Sequence, residues 1–316
     1  MTRSDVPRID TPRFGTARFS TVSFLTDYGT ADEFVGVVKS VIRDIAPHVA
    51  VIDLTHEIMP FDVRAGSLAL ARCIGYVPSG IVLAVVDPGV GTTRRAIAIE
   101  VAGGAGVVIG PDNGLLAPAV AMAGGAERAF ELTNPEYQLE SAGATFAGRD
   151  IFAPAAAHLC NGVPIEMFGT EIDTGLLLPA TVPLPREDGD ALVGEVLWVD
   201  RFGNCQLNIG PDDLPSDWGS VLQVRTGSPT DPTGQFTRRV VRAVTFAGLP
   251  PGSAGLVLDS YGMLSVCLDQ RSAAEEIGLA AGDQVTLSNL GDDSAAGPGN
   301  ATTNTTTNVT IGRRPG

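Results

Sequence analysis

Hydrophobic and polar positions in the first half of the chain alternate between two periods. "FSTVSFL" (19–25) is apolar and β-branched, which predicts a strand ending at the turn "TDYGT". In "DEFVGVVKSVIRDIA" (32–46), Phe34, Val37, Val38, Val41, Ile42 and Ile45 recur at helical spacing. "VAVIDLT" predicts a second strand. Asp62 to Gly75 predicts a second helix with Leu68, Leu70, Ala71 and Ile74 inward. "IVLAVV" (81–86) is short and wholly apolar, as suits a strand buried on both faces. "RAIAIEVA" and "GVVIG" predict further strands, and "IFAPAAAHLC" (151–160) a helix. Strand–helix–strand repetition of this kind predicts an α/β domain, a parallel sheet covered by helices.

The pattern breaks at 178–190, where "LPATVPLPREDGD" packs prolines and charges together. Beyond it, "LVGEVLWVD", "NCQLNI", "VLQVRT", "RRVVRAVTFA", "AGLVLDS" and "LSVCLD" read as short strands, with a short helix near 272–279. Close spacing of such strands predicts a small barrel or a sandwich. The expected organisation is therefore a flexible lead-in (1–19), an α/β domain (20–180), a linker (181–190) and a β-rich domain (191–290). A Thr/Asn-rich tail (291–316) with almost no large apolar residue is expected to be disordered. Its N-x-T sequons at Asn300, Asn304 and Asn308 read as composition rather than glycosylation sites.

Composition narrows the function classes. With 316 residues, 44% hydrophobic and 18% charged, the chain has material for about two packed domains. Its formal charge of −15 argues against a general nucleic-acid binder, which needs clustered Lys and Arg; Lys39 is the sole lysine. "IVLAVV" is too short to span a bilayer, so no membrane partner is expected. The first twenty residues hold Arg3, Arg8, Arg13 and Arg18 but no apolar block, unlike a secretory signal. Cys73, Cys160, Cys205 and Cys267 form no C-x-x-C pair, so neither a zinc knuckle nor a disulfide scaffold is expected. A cytoplasmic, reduced protein follows.

Ligands of parallel α/β sheets bind beyond the carboxyl ends of the strands. The loops there are polar and rich in glycine: "TDYG" with Asp27, "DLTHEI" followed by "MPFD", "DPGVGTTRR" with Asp87 and Arg94, "GPDNG" with Asp112 and Asn113, and "TFAGRD". Plainer readings exist. Asp27 and Asp112 suit ordinary turns, Phe61 and Phe146 suit a core, and His56, His48 and His158 suit structural roles. Asp150 suits the N-cap of the helix at 151. "GAGVVIG" lacks dinucleotide-binding spacing, "GVGTTR" lacks the P-loop Lys, and no G-x-S-x-G elbow is present.

Taken together the loops are more specific. "FLTDYG", "DLTHEI-MPFDV-AG", "VVDPGVGT-RR", "GPDNG", "TF-GRDIFAPAAAHL" and "VDRFGN-QLNI" occur in this order over residues 23–209. The set resembles the S-adenosyl-L-methionine (SAM) hydrolase family, also called SAM hydroxide adenosyltransferases, relatives of fluorinase and chlorinase. The resemblance runs from about residue 20 to 290. It implies an α/β domain followed by a small β-barrel domain, and a homotrimer with sites between subunits. The implied partners are SAM, adenosine and L-methionine, with SAM as substrate and neither cofactor nor metal.

Residue by residue, the resemblance implies that Asp27 holds the ribose hydroxyls. Phe61 and Phe146 would wall the pocket around ribose and sulfonium, and Thr145 to Gly148 would line it where the nucleophile waits. Asp200, Phe202 and Asn204 of "DRFGN" would serve the methionine and adenine side, and Ser260 of "DSYG" the methionine carboxylate. The reaction would be in-line attack of water or hydroxide at the ribose 5′-carbon, with methionine leaving as a neutral thioether. Asp87 and Arg94, at the family's seven-residue spacing, would accept a proton and stabilise hydroxide character. The family's usual "TFHGRD" has a His where this chain has Ala147, which can neither donate, accept nor titrate. Three readings stay open: a working hydrolase, a SAM or adenosine binder with an incomplete triad, and a chlorinase. Gly148 matches a chlorinase, but Asp87 would repel a halide by about 4 kcal/mol at roughly 4 Å and an effective dielectric near 20.

Overall fold

The structure is a computed structural model that describes residues 17–227 and 236–291. The readings of the first sixteen residues and of the Thr/Asn-rich tail with its sequons lie outside them. At the end of the expected lead-in, Arg18 N–H donates to the Cys160 carbonyl (2.9 Å) and Phe19 is buried. The chain divides in sequence into two compact units, up to Pro183 and from Leu184.

The first unit contains β1 (Thr21–Thr26), α1 (Phe34–Ile45), β2 (Ala50–Thr55), α2 (Val63–Ile74), β3 (Ile81–Val85), β4 (Ala96–Val101), β5 (Gly106–Pro111), α3 (Ala117–Met122), β6 (Arg128–Glu131), α4 (Ala153–Cys160) and β7 (Glu171–Ile172). Its seven-stranded sheet runs β2-β1-β3-β5-β4-β6-β7. The parallel sheet expected from the sequence is the β2-β1-β3-β5 half. The sheet as a whole is mixed, because β4 turns back antiparallel on β5 and is followed outward by β6 and β7, also antiparallel to their neighbours. The short connection from Ala102 to Ala105 explains this: it suits a hairpin and is too short for the crossover that parallel strands need.

Alternation along β1 serves two cores. Val22 and Phe24 join Val38, Ile42 and Phe152 on the face covered by α1 and α4. Leu25 joins Leu70, Val86 and Leu115 on the face covered by α2 and α3. Every residue of β3 is buried, as its unbroken apolar run predicts. Fully buried rings such as Phe24 and Phe152 each contribute about 1.5–3 kcal/mol. The carboxyl end of β1 lies between those of β2 and β3, where the strand order reverses and a crevice forms.

The second unit holds β8 (Arg186–Asp188), β9 (Ala191–Val199), β10 (Cys205–Leu207), β11 (Val221–Thr226), β12 (Phe236–Ala243), β13 (Ala254–Leu258), β14 (Leu264–Leu268), α5 (Ala273–Ile277) and β15 (Gln284–Gly291). The order β10-β14-β13-β12-β11-β15-β9, with β9 also paired to β10, closes a seven-stranded barrel, so the barrel replaces the sandwich alternative. β8 extends it beyond β9. Val196, Leu207, Leu222, Val240, Leu256, Val266, Val285 and Leu287 fill the interior, and Ala273 and Ile277 of α5 join that core.

Candidate active site

At the carboxyl edge of the first sheet lies a cavity of about 430 Å³. Asp27, Phe61, Asp87, Thr145, Phe146 and Gly148, widely separated in sequence, all line it. Asp27 follows β1, and its Oδ2 accepts the Phe61 backbone N–H (2.9 Å), tying two strand-end loops together. Phe61 adopts φ +70°, a left-handed conformation uncommon for a non-glycine residue, and its side chain is 70% exposed. Backbone strain of this kind, about 1–3 kcal/mol, collects at functional sites. Directly after it, Asp62 caps α2 by accepting the Ala65 N–H (2.8 Å).

Asp87 and Arg94 form a buried ion pair, their side chains 5% and 10% exposed, with Arg94 Nη2 donating to Asp87 Oδ2. The intervening turn is pinned by Thr92, whose hydroxyl donates to the Gly89 carbonyl (2.6 Å) and accepts the Arg94 N–H (3.3 Å). The guanidinium stacks over Phe152 at 5.5 Å. One polar atom on each side, Asp87 Oδ1 and Arg94 Nε, is buried without a protein partner among the described residues. Burial raises the Asp87 carboxyl above the ordinary aspartate range and the Asp27 charge adds to it; Arg94 and the Gly89 N–H oppose the rise without cancelling it.

The "TFAGRD" segment forms the far wall. Gly148–Phe152 is a single π-helical turn leading into α4, with Ala147 at its N-cap position. Such turns are rare and recur at functional sites. The structure corrects the N-cap role expected for Asp150, which lies inside the turn and is buried. Its carboxylate takes Arg149 Nε (2.6 Å) and its carbonyl accepts the Leu139 N–H (2.9 Å). Helical structure begins three residues before the position expected, so the Asp is internal. Ala147 is 7% exposed and lines the cavity.

Other candidates serve the scaffold. Arg95 turns away from Arg94 and, with the Leu178 N–H (2.9 Å), occupies the Asp112 carboxylate. Asn113 holds the Val86 carbonyl (2.9 Å). His56 bridges Thr26 (2.9 Å) and Asp53 (3.1 Å), a structural role as read. His48 bonds the Phe19 carbonyl (3.3 Å). His158 is fully buried, and burial lowers its pKa to about 4. Tyr28, Asp32 and Phe34 line the cavity without having been singled out as site residues. The signal for Tyr28 was its place directly after Asp27.

In the second unit, Phe202 and Asn204 line a separate hollow of about 450 Å³ with Phe246 and the 268–272 segment. Asp200 is not part of its lining; its carboxylate accepts the Phe202 and Asn204 N–H groups (2.8 Å each) and Asn204 Nδ2 (2.7 Å), so it shapes the loop. Gly203 is required there: at φ +81°, a Cβ would stand 2.1 Å from Ser272 Oγ. Gln270, in the same lining, is another non-glycine residue with positive φ (+54°). Ser260 sits exposed in the turn between β13 and β14, outside that hollow; the neighbouring Asp259 organises the turn through the Tyr261 N–H (2.8 Å).

The molecule is thus of a two-unit class: an α/β unit with a buried carboxylate–guanidinium pair at its strand ends, followed by a closed barrel. Comparison with known proteins is specific. The SAM hydroxide adenosyltransferase N-terminal domain matches residues 22–169, and the C-terminal domain of that name matches 194–286. An (R)-S-adenosyl-L-methionine hydrolase of Salinispora tropica is 42% identical over 261 residues, covering 82% of this chain and 94% of the relative. A hydrolase of the same name from Thermus thermophilus is 41% identical, covering 83% and 97%. A fluorinase of Nocardia brasiliensis is 29% identical, covering 83% and 94%. Among solved structures, an uncharacterized conserved protein from Thermotoga maritima superposes with a TM-score of 0.75 at 34% identity, covering 84% of this chain and 99% of that one. The chain belongs to the SAM hydroxide adenosyltransferase family.

Proposed function

We propose that the protein hydrolyses SAM to adenosine and L-methionine. The observation that carries this reading is the buried Asp87–Arg94 pair beside the cavity, with one acceptor and one donor still unpartnered. A water molecule completes both: it donates to Asp87 Oδ1 and accepts from Arg94 Nε. Its oxygen forms a bond to the ribose 5′-carbon as the carbon–sulfur bond breaks. The electron pair of that bond goes to sulfur, methionine leaves neutral, and the released proton passes to Asp87. The cationic sulfur makes an acid for the leaving group unnecessary, so the work left to the protein is positioning and partial desolvation. Asp27, with one oxygen engaged by Phe61, presents the other to the ribose diol.

The proposed substrate contacts extend to Phe61, Thr145, Phe146 and Gly148 on the first unit, and to Asp200, Phe202, Asn204 and Ser260 on the second. SAM is here a substrate rather than a cofactor, and among the described residues no group of three or more His, Cys, Asp or Glu is placed to hold a metal. A homotrimer is part of the proposal. Phe61 and Phe202 are 70% and 77% exposed, large apolar surfaces suited to cover by a neighbouring subunit. Four free thiols suit a reducing, cytoplasmic setting. Among the described residues no helix is long and apolar enough to cross a membrane.

Incubation of purified protein with SAM, with and without chloride, followed by product separation, tests the reading. Adenosine plus methionine supports hydrolysis. 5′-Chloro-5′-deoxyadenosine would replace it with halogenation, and stoichiometric binding without turnover would leave a binder, the reading that Ala147 keeps in play.

A further inference from the structure

Tyr28 stands among the aromatic rings of the cavity. Its ring meets Phe34 (centroids 5.7 Å apart) and Phe146 (5.8 Å), and these two meet each other edge to face at 5.0 Å. Its backbone N–H is fixed by Thr26 Oγ1 (3.1 Å). The far end of the ring reaches across to the π turn: a Cβ built on Gly148 would stand 2.3 Å from the Tyr28 hydroxyl oxygen and 3.2 Å from Cζ. Glycine at 148 is thus the complement of this phenol. Tyr28, Asp87, Ala147 and Gly148 line the same cavity.

A nucleophilic water has two hydrogens and two lone pairs. Asp87 accepts one hydrogen, Arg94 donates to one lone pair, and the other lone pair must face the 5′-carbon. The second hydrogen needs an acceptor, or the water is free to rotate. Ala147 has none. We propose that the Tyr28 hydroxyl oxygen accepts this second hydrogen and so fixes the attacking lone pair, which makes Tyr28 a catalytic residue in direct contact with the nucleophile. The inference rests on the hydrolase reading above. Burial first, then the charges of Asp27 and Asp87, push the phenol's pKa above its ordinary value against the opposing effect of Arg94, so it stays a neutral hydroxyl.

The test is a set of variants assayed for adenosine release. Tyr28→Phe removes one oxygen and keeps the ring contacts; it should lower kcat about 10²-fold with KM for SAM changed less than about threefold. Gly148→Ala should give a similar loss, because its methyl displaces the hydroxyl. Combining the two should cost no more than either alone, the non-additivity expected of one shared interaction. Adding Ala147→His to Tyr28→Phe should restore at least about tenfold, with the imidazole as the new partner. Thermal midpoints and adenosine affinity serve as controls for folding. An unchanged kcat in Tyr28→Phe overturns the proposal, as does a loss expressed only in KM. Losses that multiply in the double variant also overturn it. Wild-type protein that releases no adenosine removes the hydrolase reading first, and is distinguished before any variant is made.

Discussion

Replacing the Asp87–Arg94 pair by apolar side chains separates what the pair does for the fold from what it does for the chemistry. Both side chains are nearly out of solvent, 5% and 10% exposed. Removing either leaves the other charge buried and uncompensated, which costs about 3–5 kcal/mol. At about 2–4 °C per kcal/mol for a unit of this size, Asp87→Leu and Arg94→Met should each lower the thermal midpoint by about 6–20 °C. The double variant should behave differently. Exchanging both residues for apolar ones of similar volume removes the desolvation cost of both charges along with their mutual attraction. Its stability should therefore match wild type or exceed it by about 1–4 kcal/mol. All three variants should release no adenosine. Scanning calorimetry with the SAM turnover assay decides the matter: a double variant destabilised by the sum of the singles, about 6–10 kcal/mol, would refute the reasoning and make the pair structural.

Two further outcomes follow from the same geometry. Because burial raises the Asp87 pKa, the acid limb of the kcat/KM profile should lie above the ordinary aspartate value of 3.8, with activity lost as pH falls through it. The sign for stability is opposite: a carboxyl whose pKa is raised on folding contributes stability that is fully present below its unfolded pKa and is lost as pH rises through the folded one. Wild type should thus gain on Asp87→Asn as the medium is acidified; a gain on raising the pH would contradict it. Asp27→Asn should raise KM for SAM about tenfold or more, through the lost charge-assisted contact, with kcat less affected. Isothermal titration with adenosine reads the same loss, and unchanged affinity would remove Asp27 from the ribose site.

Much of this molecule is legible in one dimension because local periodicity records burial. The apolar run of β3 and the helical spacing of α1 each state which positions are inward before any partner is known. Asp87 and Arg94 are legible for a related reason, since one tight turn carries both and their seven-residue spacing lets them meet. Less was visible where the deciding partner is remote. β6 and β15 were not anticipated: β6 is four residues long with charged ends, and β15 is defined by pairing with β11 and β9. Asp112 and Asp87 look alike as acids in loops after strands, yet Arg95 and the 178 backbone claim the first.

The sequence by itself determined the order of the α/β and β-rich segments, the charged pair and the loops that could reach a ligand. Packing alone decided that Asp150 lies inside a π turn rather than at a helix start, that Phe61 takes a left-handed backbone, and that Tyr28 comes to rest against Gly148. The physical reason is range. Periodicity and capping act over a few residues, whereas the cavity is assembled from loops as far apart in sequence as Asp27 and Gly148, and which side chains meet there is fixed by sheet order and close packing.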